Sequence, residues 1–302
     1  MNPSEFWQNF KLGQEQEIAA GFIYDGLRQL HELENLNSNT EIFPILYNLA
    51  IGFERLLKVV INLIEFDESI DEVKFQKKLK IHKHLNLFNR INIIKDLDLT
   101  DKHKDFLKLL SDFYNLQRYD RLTFDYFDST KGSSKDVESF LNFLKKNIDI
   151  DLTHRDLMGV RNSLEIKILI GGLTRDIVKK MREIILEQSG SKNIYTYEIS
   201  SSSSKAAKIF YGDEPYTFNI EDRAIIELII YLVNLSEEDT IELIREIDPV
   251  DFDDALMSNT IKAILYKNPR NMQSIIDAIE FNDDESGKNK DRDEQIDYLI
   301  NM

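Results

Sequence analysis

Apolar residues return at three- and four-residue spacing along almost the whole chain, and little interrupts them. Five prolines and eleven glycines in 302 residues leave long runs in which only a helix fits the pattern. The predicted fold class is therefore mainly α, a helical bundle followed by a second helical module with a short β-hairpin. The expected organisation is a bundle over residues 1–150, then a long helix, hairpin and helical module over 151–281, then a polar tail over 282–302.

In the first segment the pattern predicts a helix pair, Ser4–Lys11 and Gln14–Asn35, with Ile18, Phe22, Leu27, Leu30 and Leu33 on one face. Asn39 or Thr40 is the expected cap of the next helix, Ile42–Phe66, since a short polar side chain there can accept from the first free N–H groups. A lysine-rich helix, "HLNLFNRINII" and "TDKHKDFLKLLSDFYNLQRY" follow. In the last of these Thr100 or Asp101 can cap, and Phe106, Leu109, Leu110 and Phe113 form the buried stripe. "VESFLNFLKKNI" closes the bundle.

Leu157–Gln188 reads as one long helical segment with Gly171–Gly172 at its middle. The glycine pair marks a kink, a break or a close helix crossing. Strand formers cluster only in Ile194–Tyr197 and Ile209–Tyr211, and the serine run between them reads as a hairpin tip. Four further helical patterns and a charged end complete the chain.

With no cysteine, disulfides, thiolate zinc sites and cysteine nucleophiles are excluded. Absence of a signal-like leader and of any apolar run near the roughly 20 residues of a membrane span points to a soluble, cytoplasmic chain without a membrane partner. P-loop, dinucleotide, HExxH, EF-hand and GxSxG patterns are missing, so no cofactor and no metal is expected. Net charge is −16, a field that repels nucleic acid unless a local basic face offsets it. "VKFQKKLKIHKH" (Val73–His84) is such a face: five lysines, two histidines and no acid. Charge runs are more commonly solvated surface, and an acidic chain also suits a non-catalytic scaffold or antitoxin-like protein that masks a basic partner.

Three stretches in order, "ILYNLAIGFERLLKVVI", "KIHKHLNLFNRI" and "FLKLLSDFYNLQRYDR", together resemble the HEPN (higher eukaryotes and prokaryotes nucleotide-binding) superfamily over about a third of the chain. In that comparison "AIGFERLLK" resembles the family's long helix, "HLNLF" its histidine-plus-leucine turn and "NLQRY" its Asn-x-x-Arg-Tyr ending. The resemblance implies a homodimer of helical bundles in an antiviral defence or toxin–antitoxin setting, where many members are metal-independent ribonucleases. Those enzymes carry an Arg-x4-6-His motif, and no histidine here has an arginine at that distance upstream. Lys77 precedes His82 and Lys78 precedes His84 instead, without the planar fork of arginine.

Two expectations follow: a non-nucleolytic member, or an atypical site. In the second, His82 or His84 carries the proton and Arg118 and Arg121 contact phosphate, while Lys77, Lys78, Lys80, Lys83, Asn115 and Tyr119 bind RNA. A protein partner for the C-terminal module is the remaining expectation.

Overall fold

The computed structural model describes residues 6–36, 40–67, 69–120, 133–150, 160–192 and 205–211, with isolated positions elsewhere. Its described part is mainly helical. The chain divides into two compact units, Met1–Thr217 and Phe218–Met302, and the C-terminal helices and tail expected from sequence lie outside the described residues, as do the serine run and Arg121.

The first unit is built on α2 (Ile42–Glu65), whose buried residues include Ile45, Leu49, Phe53, Leu56, Val60 and Leu63. Against it lies α1 (Leu12–Glu32). The predicted break between Lys11 and Gln14 does not occur: a π-helical turn, Trp7–Lys11, runs directly into α1. Gly13 is buried beside Leu12, so packing holds a residue that sequence alone reads as punctuation.

Of the expected stripe of α1, Leu27 and Leu30 are in the core, but Ile18 is exposed, and Ala19, Ala20 and Ile23 complete the buried face. The reason is a close crossing. A Cβ on Gly52 of α2 would stand 2.6 Å from Ile23 Cγ1 and 2.9 Å from the Ala19 carbonyl oxygen, so small residues must face one another there.

After α2, Asp71 caps α3 (Glu72–Leu79), its side chain accepting from Lys74 N–H. Phe75 anchors this helix by packing on Phe66 at 5.2 Å, and Trp7 meets Phe66 edge-on at 5.9 Å. An extended segment leads to α4 (His84–Lys95). Arg90 of α4 clamps Glu65 through two nitrogens and donates to the Lys78 carbonyl at 3.2 Å, which fixes the basic segment beside the end of α2.

Helix α5 (Asp101–Asp112) starts at Thr100, whose N–H donates to His103 Nδ1 at 3.2 Å. Its expected stripe of Phe106, Leu109, Leu110 and Phe113 is buried. A second π-helical turn, Phe113–Gln117, and a last helical turn, Arg118–Asp120, complete it. β1 (Phe127–Asp128) and β2 (Ser133–Ser134) pair antiparallel, and α6 (Lys135–Asn147) returns onto the core through Phe140 and Leu144.

Helix α7 (Leu164–Ser191) is unbroken through Gly171–Gly172. It starts at Ser163, whose hydroxyl accepts from Ile166 N–H. It packs on α1, α2 and α5 within the first unit, although sequence places it beyond a boundary near 150. Asn162 secures its entry by donating from Nδ2 to the carbonyls of Leu30 and Leu33 at 2.6 and 2.9 Å, acceptors that the end of α1 leaves open.

Ile209–Tyr211, expected as a strand, belong to α8 (Lys205–Tyr211). Ala206, Ile209 and Phe210 are buried, a helical spacing that packs against α1 and overrides β propensity. The other expected arm, Tyr195–Tyr197, lies outside the described residues.

The α1–α2 crossing yields a paired prediction. Gly52→Ala should lower stability by about 1–3 kcal/mol through overpacking against backbone. Gly21→Ala meets nothing within 4 Å and should raise it by up to about 1 kcal/mol through helix propensity. Urea melts of the two variants check both signs.

Candidate functional site

Glu54 lies on the buried side of α2 with its side chain 10% exposed. A carboxylate so placed needs charged or hydrogen-bonding partners. Lys58, one turn later, donates to Oε1 at 2.6 Å, and His82 from the extended segment reaches the same oxygen through Nδ1 at 3.0 Å. An ionised carboxylate only accepts, so His82 carries its ring proton on Nδ1. Its side chain is 52% exposed, so the ring is reachable from solvent.

The basic segment and the "NLQRY" stretch meet at this point. Asn115 donates from Nδ2 to the His82 carbonyl at 2.9 Å and to the Ser111 carbonyl at 2.8 Å, tying the end of α5 to the backbone that presents His82. The π-helical turn containing Tyr114 and Asn115 adds a residue to the helix just where this contact is made. The Tyr114 ring is 5.8 Å from the His82 ring, and the Arg118 guanidinium lies over Tyr114 at 3.9 Å. Arg118 also donates to the Tyr119 hydroxyl at 2.9 Å. Tyr119 itself is exposed.

His84 takes a different place from His82. It is fully buried and donates from Nε2 to the Ala50 carbonyl at 2.7 Å. Burial pushes its pKa down from the ordinary histidine value, against a smaller opposing effect of the Ala50 hydrogen bond. A neutral imidazole sealed in the core cannot serve as a proton carrier for a bound substrate, so the expected alternative of His84 in that role is replaced by a packing role. Lys77, Lys78, Lys80 and Lys83 are all exposed and form a cationic surface beside His82 in sequence. Arg121 lies outside the described residues.

Behind His82 opens a cavity of about 540 Å³. Trp7, Tyr47 and Tyr114 line it together with Glu54, Arg55 and Lys58. Arg55 pairs with Glu15 across α1 and α2, so the polar lining holds two ion pairs together with Asn62 and His82. Sequence reasoning missed Glu54, Arg55 and Lys58 as site residues. Their one signal was the Glu–Lys spacing in "FERLLK", common on any helix.

Among the described residues no cluster of His, Cys, Asp and Glu could hold a metal ion, and no helix is long and apolar enough to cross a membrane. Comparison with protein families, curated proteins and solved structures finds no match to the chain.

The environment of His84 fixes a pH dependence. Its folded-state pKa is depressed, so below the unfolded value of about 6.5 the unfolded chain binds a proton that the folded chain refuses. The stability associated with neutral His84 is present above that pH and is lost as pH falls through it, by up to about 1.4 kcal/mol per pH unit. Thermal melts from about pH 7.5 to about pH 5 should fall more steeply for the wild type than for His84→Gln. Parallel curves would assign the acid sensitivity elsewhere.

Proposed function

We propose that the first unit is an HEPN-like RNA-binding module of a bacterial defence or toxin–antitoxin type protein, acting as a metal-independent ribonuclease. The observation that carries this reading is His82. Its ring is exposed on one side, held through Nδ1 by Glu54 on the other, and set beside the Tyr114–Arg118 stack. A carboxylate behind an imidazole orients it and stabilises the imidazolium that forms when it accepts a proton.

In the proposed reaction His82 Nε2 takes the proton of a ribose 2′-hydroxyl. The 2′ oxygen then bonds to phosphorus, and the bond from phosphorus to the 5′ oxygen breaks. The 5′ oxygen leaves with a proton from water, and the hydroxide so formed takes the proton held on His82, giving a 2′,3′-cyclic phosphate, a 5′-hydroxyl and the starting imidazole. Arg118 stabilises charge growing on the phosphate oxygens. Lys77, Lys78, Lys80 and Lys83 attract the strand, a salt-sensitive contribution, and Asn115 holds the His82 backbone in position. The family's homodimeric arrangement belongs to the same proposal.

A second reading draws support from the net charge of −16 and from the missing Arg-x4-6-His spacing. It is a non-catalytic interaction protein that masks a basic partner, with an association that weakens as salt rises. Co-purification with the product of a neighbouring gene, without RNA cleavage, is its expected signature.

Purified protein incubated with RNA in excess chelator separates the two. Cleavage leaving cyclic phosphate ends should fall by about 100-fold or more in His82→Ala and in Arg118→Ala, while folded His84→Gln keeps it. Unchanged cleavage in the first two variants would remove this site assignment.

A further inference from the structure

The cavity beside His82 shares His82 and Glu54 with the proton transfer just described, but its aromatic lining has no role in that transfer. Its volume of about 540 Å³ lies within the ordinary range for small-ligand sites, well above the need of a trapped water. Three of its walls are rings, Trp7, Tyr47 and Tyr114. The Tyr114 ring also forms the floor under Arg118 at 3.9 Å, so one ring borders both the phosphate contact and the cavity.

The polar lining narrows the occupant further. Arg55 is paired with Glu15 and Lys58 with Glu54, so both cations are matched, while the buried Glu54 Oε2 and Asn62 Oδ1 have no hydrogen-bond partner and are left to accept from a donor. A free anion would find its cations already engaged, and an apolar ligand would leave both pairs desolvated. A flat heterocycle with donors and acceptors on its edge suits aromatic walls and a mixed polar rim. Such a group linked to a phosphate at the mouth is a nucleotide of a strand.

We propose that the cavity takes one unstacked base of the RNA strand whose phosphate lies at Arg118, which makes single-stranded RNA the substrate class. This rests on the proposed RNA-binding function and specifies it. A paired base cannot enter, because its edge and faces are occupied by partner and neighbours. Single-strand sites gain affinity from stacking of bases on aromatic side chains.

Trp7 is the chain's one tryptophan, so its fluorescence reports from the cavity wall. The test titrates full-length protein, in chelator and with a 2′-deoxy substitution at the cleavable position, with three probes. These are a single-stranded RNA oligonucleotide, the same oligonucleotide carrying an abasic residue, and its duplex. The expected result is a change in Trp7 emission with the intact single strand. Binding of the abasic strand and of the duplex should be about tenfold or more weaker, the scale of one lost stacking contact.

Ile51→Trp, which fills the cavity from a lining position, should remove the preference for intact over abasic strand. That preference is read by anisotropy of a labelled oligonucleotide. Equal binding of all three probes to wild-type protein, with Trp7 emission unchanged, would overturn the base pocket while leaving RNA binding intact. No binding of any probe would overturn both this inference and the proposed function.

Discussion

Glu54 is a carboxylate drawn into the side of a core helix, and the surrounding architecture answers the charge. Lys58 from the same helix face supplies one partner and His82, 28 residues away in sequence, supplies the other. Removing water from a carboxylate costs several kcal/mol unless such partners replace it. The hydrogen bond to Glu54 Oε1 therefore also selects the tautomer and orientation of an exposed imidazole, while Oε2 is buried without a hydrogen-bond partner. Arg90 on Glu65 and Asn115 on the His82 carbonyl hold the intervening segment at both ends. The candidate chemistry follows from that fixation.

The fold beneath this site depends on close helix approach. Ala19, Ala20, Gly26 and Gly52 allow α1 and α2 to pack with little between them, and α4, α5 and α7 then pack on α2. Because α2 presents Ile51, Glu54, Arg55 and Lys58 along its cavity side, the packing helix also contributes much of the polar lining. The basic segment runs between two anchors, Phe75 in the Trp7–Phe66 cluster and His84 under Ala50, and its lysines stay at the surface.

Local patterns were legible in the sequence where one element decides its own structure. The Thr100 start and the Phe106, Leu109, Leu110 and Phe113 stripe of α5 follow from capping and periodicity alone. The buried face of α1 was legible at Leu27 and Leu30 but not at Ala19, Ala20 and Gly26, because alanine and glycine give no hydrophobic signal until a partner helix lies on them. Ile209–Tyr211 misled for a related reason: β-branched and aromatic residue types suggested a strand, while packing on α1 follows the helical spacing from Ala206. At the site, the sequence placed two histidines among lysines without showing that His82 faces solvent and His84 the core. Glu54 was visible only within the "AIGFERLLK" helix stretch and not as a site residue, since an i,i+4 pair with Lys58 looks like any surface pair until His82 arrives.

Ring tautomers test the central claim most directly. Long-range nitrogen–proton NMR on protein with labelled histidines, recorded above the ordinary histidine titration range, reads each ring separately. His82 is expected to be protonated on Nδ1, with its signal altered by Glu54→Gln, and His84 to be protonated on Nε2. A His82 ring dominated by the Nε2–H form, as in free imidazole side chains, and indifferent to Glu54 would contradict it.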